Sequence, residues 1–84
     1  MFDVHLLDEA RAVAAALPLE TKKILAELLG LLEIEPCTGD LYRPPDSDLR
    51  TAVIADGRLL VIWLVLEDRD QVEVVRIIWS GNDF

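Results

Sequence analysis

Positive charge is scarce in this 84-residue sequence. Eight Lys and Arg residues stand against sixteen Asp and Glu, which gives a formal net charge of −8 at pH 7. A surface of that sign repels phosphate backbones, so we expect no direct DNA binding and poor docking to ribosomal RNA. The balance favours a protein that stays soluble by its charge or that meets a basic partner.

Residues that build metal and redox sites are scarce too. His5 is the only histidine and Cys37 the only cysteine, so the sequence offers no metal-ligand set and no internal disulfide. Cys37 has no histidine at a spacing typical of thiol nucleophiles, and there is no glycine-rich phosphate loop. We therefore expect no metal and no cofactor. The single thiol fits a reducing compartment.

Long apolar segments are also missing. The longest run, from Leu59 to Leu66, is far short of the roughly 20 residues that a membrane span requires. The first residues alternate apolar side chains with Asp3 and His5, without the basic stretch of a signal peptide. We expect a cytoplasmic protein with no membrane contact.

Apolar residues are nevertheless abundant for so short a chain. They make up 52% of the sequence, which predicts one folded domain over residues 1–84. A domain of this size buries only about 60–65% of its unfolded surface. Some apolar side chains therefore stay at the surface until a partner covers them, so we expect an oligomer or an obligate complex.

The first half of the chain predicts one strand and two helices. Residues 2–7 alternate as a strand does, and an alanine-rich helix follows over about 8–17, with Asp8 as its N-cap. After a proline, a second helix with apolar residues at three- and four-residue spacing covers about 19–35. Residues 36–48 are rich in proline and glycine, which predicts a loop.

The second half predicts a three-stranded meander. β-branched and aromatic residues fill runs at 49–55, 58–66 and 72–79. Asp56-Gly57 is a strong hairpin signal, because the turn needs a positive φ that glycine adopts freely. The middle run is typical of a strand buried on both faces. The order β-α-α-β-β-β therefore predicts an α+β domain, with an αα-hairpin packed on one face of an antiparallel sheet.

Several short segments follow one another in a distinctive order. They are FDVHLLDEA in the opening strand, ALP between the helices, EP…G in the loop, DLR at the start of the meander, GR before the central strand and VEVVRI in the last strand. In this order they resemble the RelE/ParE family of bacterial toxins from type II toxin–antitoxin modules. The resemblance implies a compact toxin around which a cognate antitoxin wraps. Some members cleave messenger RNA on the ribosome, and others act on DNA gyrase.

The ribonuclease branch of that family works without a metal, through cations and a tyrosine that stabilise the charged phosphodiester transition state. By position, its lysines fall on Thr51 and Val53, its arginines on Arg58 and Ser80, and its tyrosine on Phe84. Only Arg58 matches. The resemblance therefore implies a retained fold with a degenerate site. If the chain is an active enzyme, it is a metal-free, ribosome-dependent mRNA endonuclease with Arg58 as its catalytic residue.

Strand alternation predicts a partner surface on the sheet face that points away from the helices. In the register that turns Arg58 outward, six further candidates share this face with Thr51: Val53, Leu60, Ile62, Leu64, Arg76 and Ile78. Most are apolar, and a patch of that size is seldom left to water. We expect this face, or the adjoining edge strand, to bind a second copy of the chain or an antitoxin segment.

Two functions stay open from the sequence. One is a RelE/ParE-like toxin held by its antitoxin, although neither a ribosome nor a gyrase target has support from the charge. The other is a non-catalytic homodimeric interaction module that kept the scaffold and lost the activity. Arg58 also has a plainer interpretation, as an arginine paired with one of the sixteen acidic residues. Trp63 and Trp79 are expected to be core or interface anchors.

Overall fold

The computed structural model describes residues 1–37, 40–41 and 49–81, with the backbone alone described at 40–41. In this part of the chain the elements are β1 (Asp3–Leu6), α1 (Asp8–Ala16), α2 (Leu19–Ile34), β2 (Asp40–Leu41), β3 (Leu49–Ile54), β4 (Leu59–Leu66), a 3₁₀ turn (Glu67–Arg69) and β5 (Gln71–Trp79). The predicted fold class and element order are confirmed. Most of the predicted loop lies outside the described residues, but β2 within it is a strand that the sequence did not predict.

Helix α1 begins without a side-chain cap. Leu7 occupies the N-cap position, and Asp8 and Glu9 stand in the first turn, where their charge is favourable to the helix dipole. Arg11 Nη2 donates a hydrogen bond to the Leu6 carbonyl oxygen at 3.2 Å, and its Nη1 lies 4.0 Å from Asp8 Oδ1. These contacts tie the start of α1 to the end of β1. The predicted cap at Asp8 is one residue late.

A proline separates the two helices. The residue before a proline is disfavoured in the α region, and Leu17 is accordingly extended, with φ −71° and ψ 151°. Helix α2 starts at once after Pro18, whose carbonyl oxygen accepts a hydrogen bond from the Lys22 N–H at 2.9 Å. Leu25 and Leu32 of α2 are buried against the sheet. No helix among the described residues has the length and apolar character needed to cross a membrane.

The described residues form a five-stranded sheet in the order β1-β5-β4-β3-β2. Strands β3, β4 and β5 form the predicted antiparallel meander, and β2 adds antiparallel to β3. Strand β1 instead pairs with β5 in parallel, with Asp3 opposite Gln71. The sheet is therefore mixed at this edge. No tight turn joins β1 to β5, so hairpin geometry does not impose antiparallel pairing here.

The core lies between the helices and one face of the central strands. On β4 this face carries Leu59, Val61, Trp63 and Val65, all at most 3% exposed. The indole Nε1 of Trp63 donates a buried hydrogen bond of 2.8 Å to the carbonyl oxygen of Pro36. That bond satisfies the one polar atom of the largest core side chain and fixes the point where the chain leaves α2.

A β-bulge in β5 shifts the alternation of its side chains. Ile62 pairs with Arg76, but the next residue, Trp63, pairs with Val74, which leaves Val75 as the extra residue. Without that extra residue, the apolar side chains before and after it would point to opposite faces. The bulge lets both halves of β5 turn their apolar positions toward the helices.

Candidate partner-binding face

The register of the sheet brings the six predicted interface residues onto one face, opposite the helices. Three rungs cross β3, β4 and β5 there: Val53–Leu60–Ile78, then Thr51–Ile62–Arg76, then Leu49–Leu64–Glu73. We call this surface the open face. No helix among the described residues packs on it. Strand pairing alone places these side chains together, so the predicted grouping holds in the structure.

Exposure varies along the open face. Val53 is 63% exposed and Ile78 is 42% exposed, and Leu60 lies half-buried between them. One rung further, Ile62 is only 6% exposed although no helix covers it. Ile62 is therefore not available to a partner in the same way as Val53 and Ile78. The accessible apolar surface is therefore concentrated in the rung Val53–Leu60–Ile78, beside the β3–β4 turn.

Arg58 stands in that turn and not in the strand, one residue before β4. The turn is tight: Ala55, Asp56 and Gly57 all have positive φ, and the Arg58 N–H donates a hydrogen bond to the Ala55 carbonyl oxygen at 3.2 Å. The predicted Asp-Gly hairpin is confirmed, with one further left-handed residue in front of it. Among residues 1–37 and 49–81, no carboxylate lies within ion-pair distance of the Arg58 guanidinium.

The end of β5 holds Arg58 in place. The Arg58 carbonyl oxygen accepts hydrogen bonds from the Ser80 N–H at 3.0 Å and from Ser80 Oγ at 3.3 Å. A Cβ at Gly81 would lie 2.6 Å from Arg58 Cδ and 2.6 Å from Trp79 Cη2. The arginine stem and the indole thus meet over a position where only glycine fits without displacement. The sequence alone gave no sign of this contact.

Arg58 and Arg76 do not form a cluster. The backbone of Arg58 lies opposite Ser80, and Arg76 lies opposite Ile62. The backbone positions of the two arginines are therefore four residues of β5 apart, or about 13 Å. Thr51 and Val53, where the resemblance expects lysines, contribute no charge, and Phe84 lies outside the described residues. Among residues 1–37 and 49–81, Arg58 and Arg76 therefore stand on separate parts of the sheet, and Thr51 and Val53 add no cation to the converging set that phosphodiester cleavage requires.

A small pocket lies at the other end of the sheet. It has a volume of about 230 Å³, and Cys37, Arg50, Glu67 and Asp68 are among the residues that line it. Cys37 Sγ donates a hydrogen bond of 3.7 Å to Glu67 Oε2, and Arg50 Nε is buried without a hydrogen-bond partner in the described residues. The lining contributes one guanidinium and two carboxylates, so the pocket carries a net negative charge and does not favour an anionic ligand.

Within residues 1–37 and 49–81, no three His, Cys, Asp or Glu side chains are placed to hold a metal ion. On the open face Arg76 supplies a cation and Thr51 a neutral polar side chain, whereas the Arg58 stem lies beside the Trp79 indole at the β3–β4 turn.

Comparison with family models and with curated proteins gives no match. Solved structures do match. A chain of the intact E. coli RelBE toxin–antitoxin complex has a TM-score of 0.83 at 12% identity, covering 98% of this chain and 100% of that one. The isolated E. coli RelE toxin has a TM-score of 0.82 at 13% identity, with 99% and 88% covered. The archaeal RelE–RelB complex from Pyrococcus horikoshii OT3 has a TM-score of 0.68 at 15% identity, with 98% of each chain covered.

These likenesses extend over almost the whole chain, while identity stays low. They establish the fold: the protein has the fold of the RelE toxins. The family resemblance predicted from the ordered segments is confirmed at this level.

Proposed function

We propose that this chain is the toxin of a toxin–antitoxin pair, with a degenerate ribonuclease site. The observation that carries the proposal is a RelE fold matched over 98% of the chain by a chain of a toxin–antitoxin complex, combined with a sheet face on which no helix of the described residues packs and on which Val53 and Ile78 are exposed. Another matching structure is a RelE mutant in complex with an antitoxin peptide. A fold that is solved with a bound antitoxin, and that here exposes apolar side chains, favours the same kind of partner.

The antitoxin contact is proposed to centre on the rung Val53–Leu60–Ile78 of the open face, with Ile62, Leu64 and Arg76 alongside. Fully burying one exposed aliphatic side chain contributes about 1.5–3 kcal/mol. The exposed fractions of Val53 and Ile78 are large enough for each to gain part of that energy from a partner. Arg76 at the rim adds a charge for recognition. An apolar segment that ends near acidic residues would fit this surface.

The proposed site for messenger RNA cleavage is weak. Removing a single donor to a developing oxyanion costs about 10²–10³ in rate in enzymes where this has been measured, and here Thr51, Val53 and Ser80 stand at three positions where the resemblance expects cations. The net charge of −8 further opposes contact with RNA. A protein target, as in the gyrase-directed branch of the family, makes no demand on these cations. Residual ribonuclease activity, if present, depends on Arg58.

Expression in a bacterial host tests the toxin proposal. The chain is induced alone and together with the short neighbouring gene, which is expected to encode a DNA-binding N-terminus and a charged, helical C-terminus. Growth arrest with the chain alone, relieved by the neighbour, supports the proposal. Harmless expression at high level contradicts it and favours the non-catalytic interaction module, whose support is the loss of the cations.

The proposed binding surface is tested by charge. Val53→Glu and Leu60→Glu place carboxylates in the exposed apolar rung and should raise the Kd for the antitoxin by about 100-fold or more, because a buried unpaired charge is costly. Leu19→Glu is the matched control, since Leu19 is 69% exposed on the helical side. Titration calorimetry gives the Kd, and circular dichroism checks that the variants stay folded. Equal affinity for all three variants would place the antitoxin elsewhere.

A further inference from the structure

Strand β1 covers only the first half of the outer edge of β5. It pairs with residues Gln71 to Val74, and the last contact is a hydrogen bond of 3.1 Å from the Leu7 N–H to the Val74 carbonyl oxygen. The chain then turns away into α1. Residues Val75–Trp79 continue as a strand with β4 on one side and, within the part of the chain that the structure describes, no strand on the other.

The main-chain groups of this free half point outward at alternate residues. The Ser80 N–H donates a hydrogen bond to the carbonyl oxygen of Arg58, the residue before β4, so the main-chain groups of Ser80 point toward β4. Along an antiparallel strand, the N–H and C=O groups of successive residues point alternately to the two neighbouring strands. Ile78 and Arg76, two and four residues before Ser80, therefore also direct their N–H and C=O groups toward β4. Ile77 and Trp79 direct theirs to the free edge. Such an edge is a ready template for another strand.

A groove follows the same edge. Its volume is about 630 Å³, and it is lined by residues Arg76 to Trp79 on one side and by α1, including Ala12 and Ala16, on the other. Arg76 and Ile78 belong to the open face, whereas Ile77 and Trp79 belong to the helix-covered face. A cavity that touches both faces of one strand must lie along its edge. The groove thus occupies the place of the next strand, and two small, exposed alanines form part of its wall.

We propose that a second copy of this chain docks here, β5 against β5, about a two-fold axis at Ile78. In that antiparallel register the N–H and C=O of Ile77 bond to those of Trp79 in the other copy, and the reverse. The two Ile78 side chains meet on the open face. Arg76 comes opposite Ser80 of the other copy, so no like charges oppose each other along the shared strands.

Charge distribution favours this arrangement for an acidic chain. Two copies of net charge −8 repel each other, and an interface must keep their carboxylates apart. The acidic turn Glu67–Asp70 precedes the opposite end of β5, about 27–30 Å from Trp79 along the strand. The groove itself contains one carboxylate, Glu9, and one guanidinium, Arg76. Antiparallel pairing therefore joins the ends of β5 that lie away from this turn and leaves the two Glu67–Asp70 turns at opposite ends of the joint sheet.

The test blocks the groove from the helix side. Ala12→Arg and Ala16→Arg add a long cationic side chain to its wall without changing β5, and Ala15→Arg on the same helix, outside the groove, is the matched control. Sedimentation equilibrium of the full chain should show a monomer of 9.4 kDa in exchange with a dimer. The two groove variants should raise the dimer Kd at least about tenfold, and the control should leave it unchanged.

Amide exchange supplies a readout at the strand itself. The amide protons of Ile77 and Trp79 should become protected as protein concentration rises, and should lose that protection in Ala12→Arg. The open-face variant Val53→Glu, two strands away from β5, should keep the dimer, which separates this interface from the part of the proposed antitoxin surface on β3. A chain that remains monomeric at all concentrations overturns the proposal. So does a dimer that Ala12→Arg and Ala16→Arg leave intact, or edge protection that develops only when a partner peptide is added.

Discussion

The two faces of β4 are built from the same kinds of residue and have different surroundings. Leu59, Val61 and Val65 alternate with Leu60, Ile62 and Leu64, and a list of side-chain types would not tell one set from the other. The first set lies under the helices and is at most 3% exposed. The second set forms part of the open face. The difference teaches that an apolar strand face becomes core only where the rest of the chain brings a helix over it.

The largest effect is expected from the covered face. Trp63→Ala removes the largest fully buried side chain, which costs about 3–5 kcal/mol of unfolding free energy in comparable cores. It also leaves the Pro36 carbonyl oxygen without its 2.8 Å hydrogen bond, which adds to the loss. A domain of this size has little stability to spare, so we expect the variant to be unfolded or nearly so at 25 °C. Urea unfolding followed by circular dichroism measures it.

Leu60→Ala, on the opposite face of the same strand, is the matched control. Leu60 is half-buried, so its truncation should cost about 1 kcal/mol or less in the isolated chain. Equal losses at Leu60 and Trp63 would mean that the open face is covered in the isolated protein, and the distinction between the two faces would fail.

A second variant sharpens the comparison within the open face. Ile62→Ala should lower the unfolding free energy by about 2–3 kcal/mol, because Ile62 is 6% exposed despite having no helix over it. Val53→Ala, in the neighbouring strand and 63% exposed, should cost less than about 0.5 kcal/mol. Antitoxin binding should show the reverse order. Val53→Ala should raise the Kd for the antitoxin more than Ile62→Ala does. If Ile62→Ala is as mild as Val53→Ala, Ile62 is not packed as its low exposure indicates.

The face assignments could be predicted because they need only a period of two and a turn. Asp56-Gly57 fixes the hairpin between β3 and β4, and the apolar runs then place Val53 and Leu60 on one side. Arg76 and Ile78 were also placed correctly. The spacing of the apolar residues in β5, with an extra residue at Val75, contains the sign of the bulge, although the prediction did not use it.

Other features depend on contacts between distant segments and could not be predicted from local pattern. The parallel pairing of β1 with β5, the two-residue strand β2 and the burial of Ile62 all depend on which strands become neighbours. The contact of Arg58 with Gly81 and Trp79 depends on where β5 ends relative to the turn. Arg58 was predicted at the entry of a strand, and the hydrogen bond of its N–H to Ala55 places it in the turn.

A small gain in stability, and no loss, is expected from removing the Thr51 hydroxyl, because the open face holds a buried polar atom there. Thr51 Oγ1 has no hydrogen-bond partner in the described residues, and an unsatisfied buried hydroxyl costs free energy that a methyl group of similar shape does not. Thr51→Val should therefore leave the unfolding free energy unchanged or raise it by up to about 1 kcal/mol. Thr51→Ser, which keeps the hydroxyl and loses the methyl group, should lower it by a similar amount. A loss of more than about 1 kcal/mol in Thr51→Val would show that the hydroxyl is bonded in the folded protein, and the open face would then contain an ordered polar site within its apolar surface.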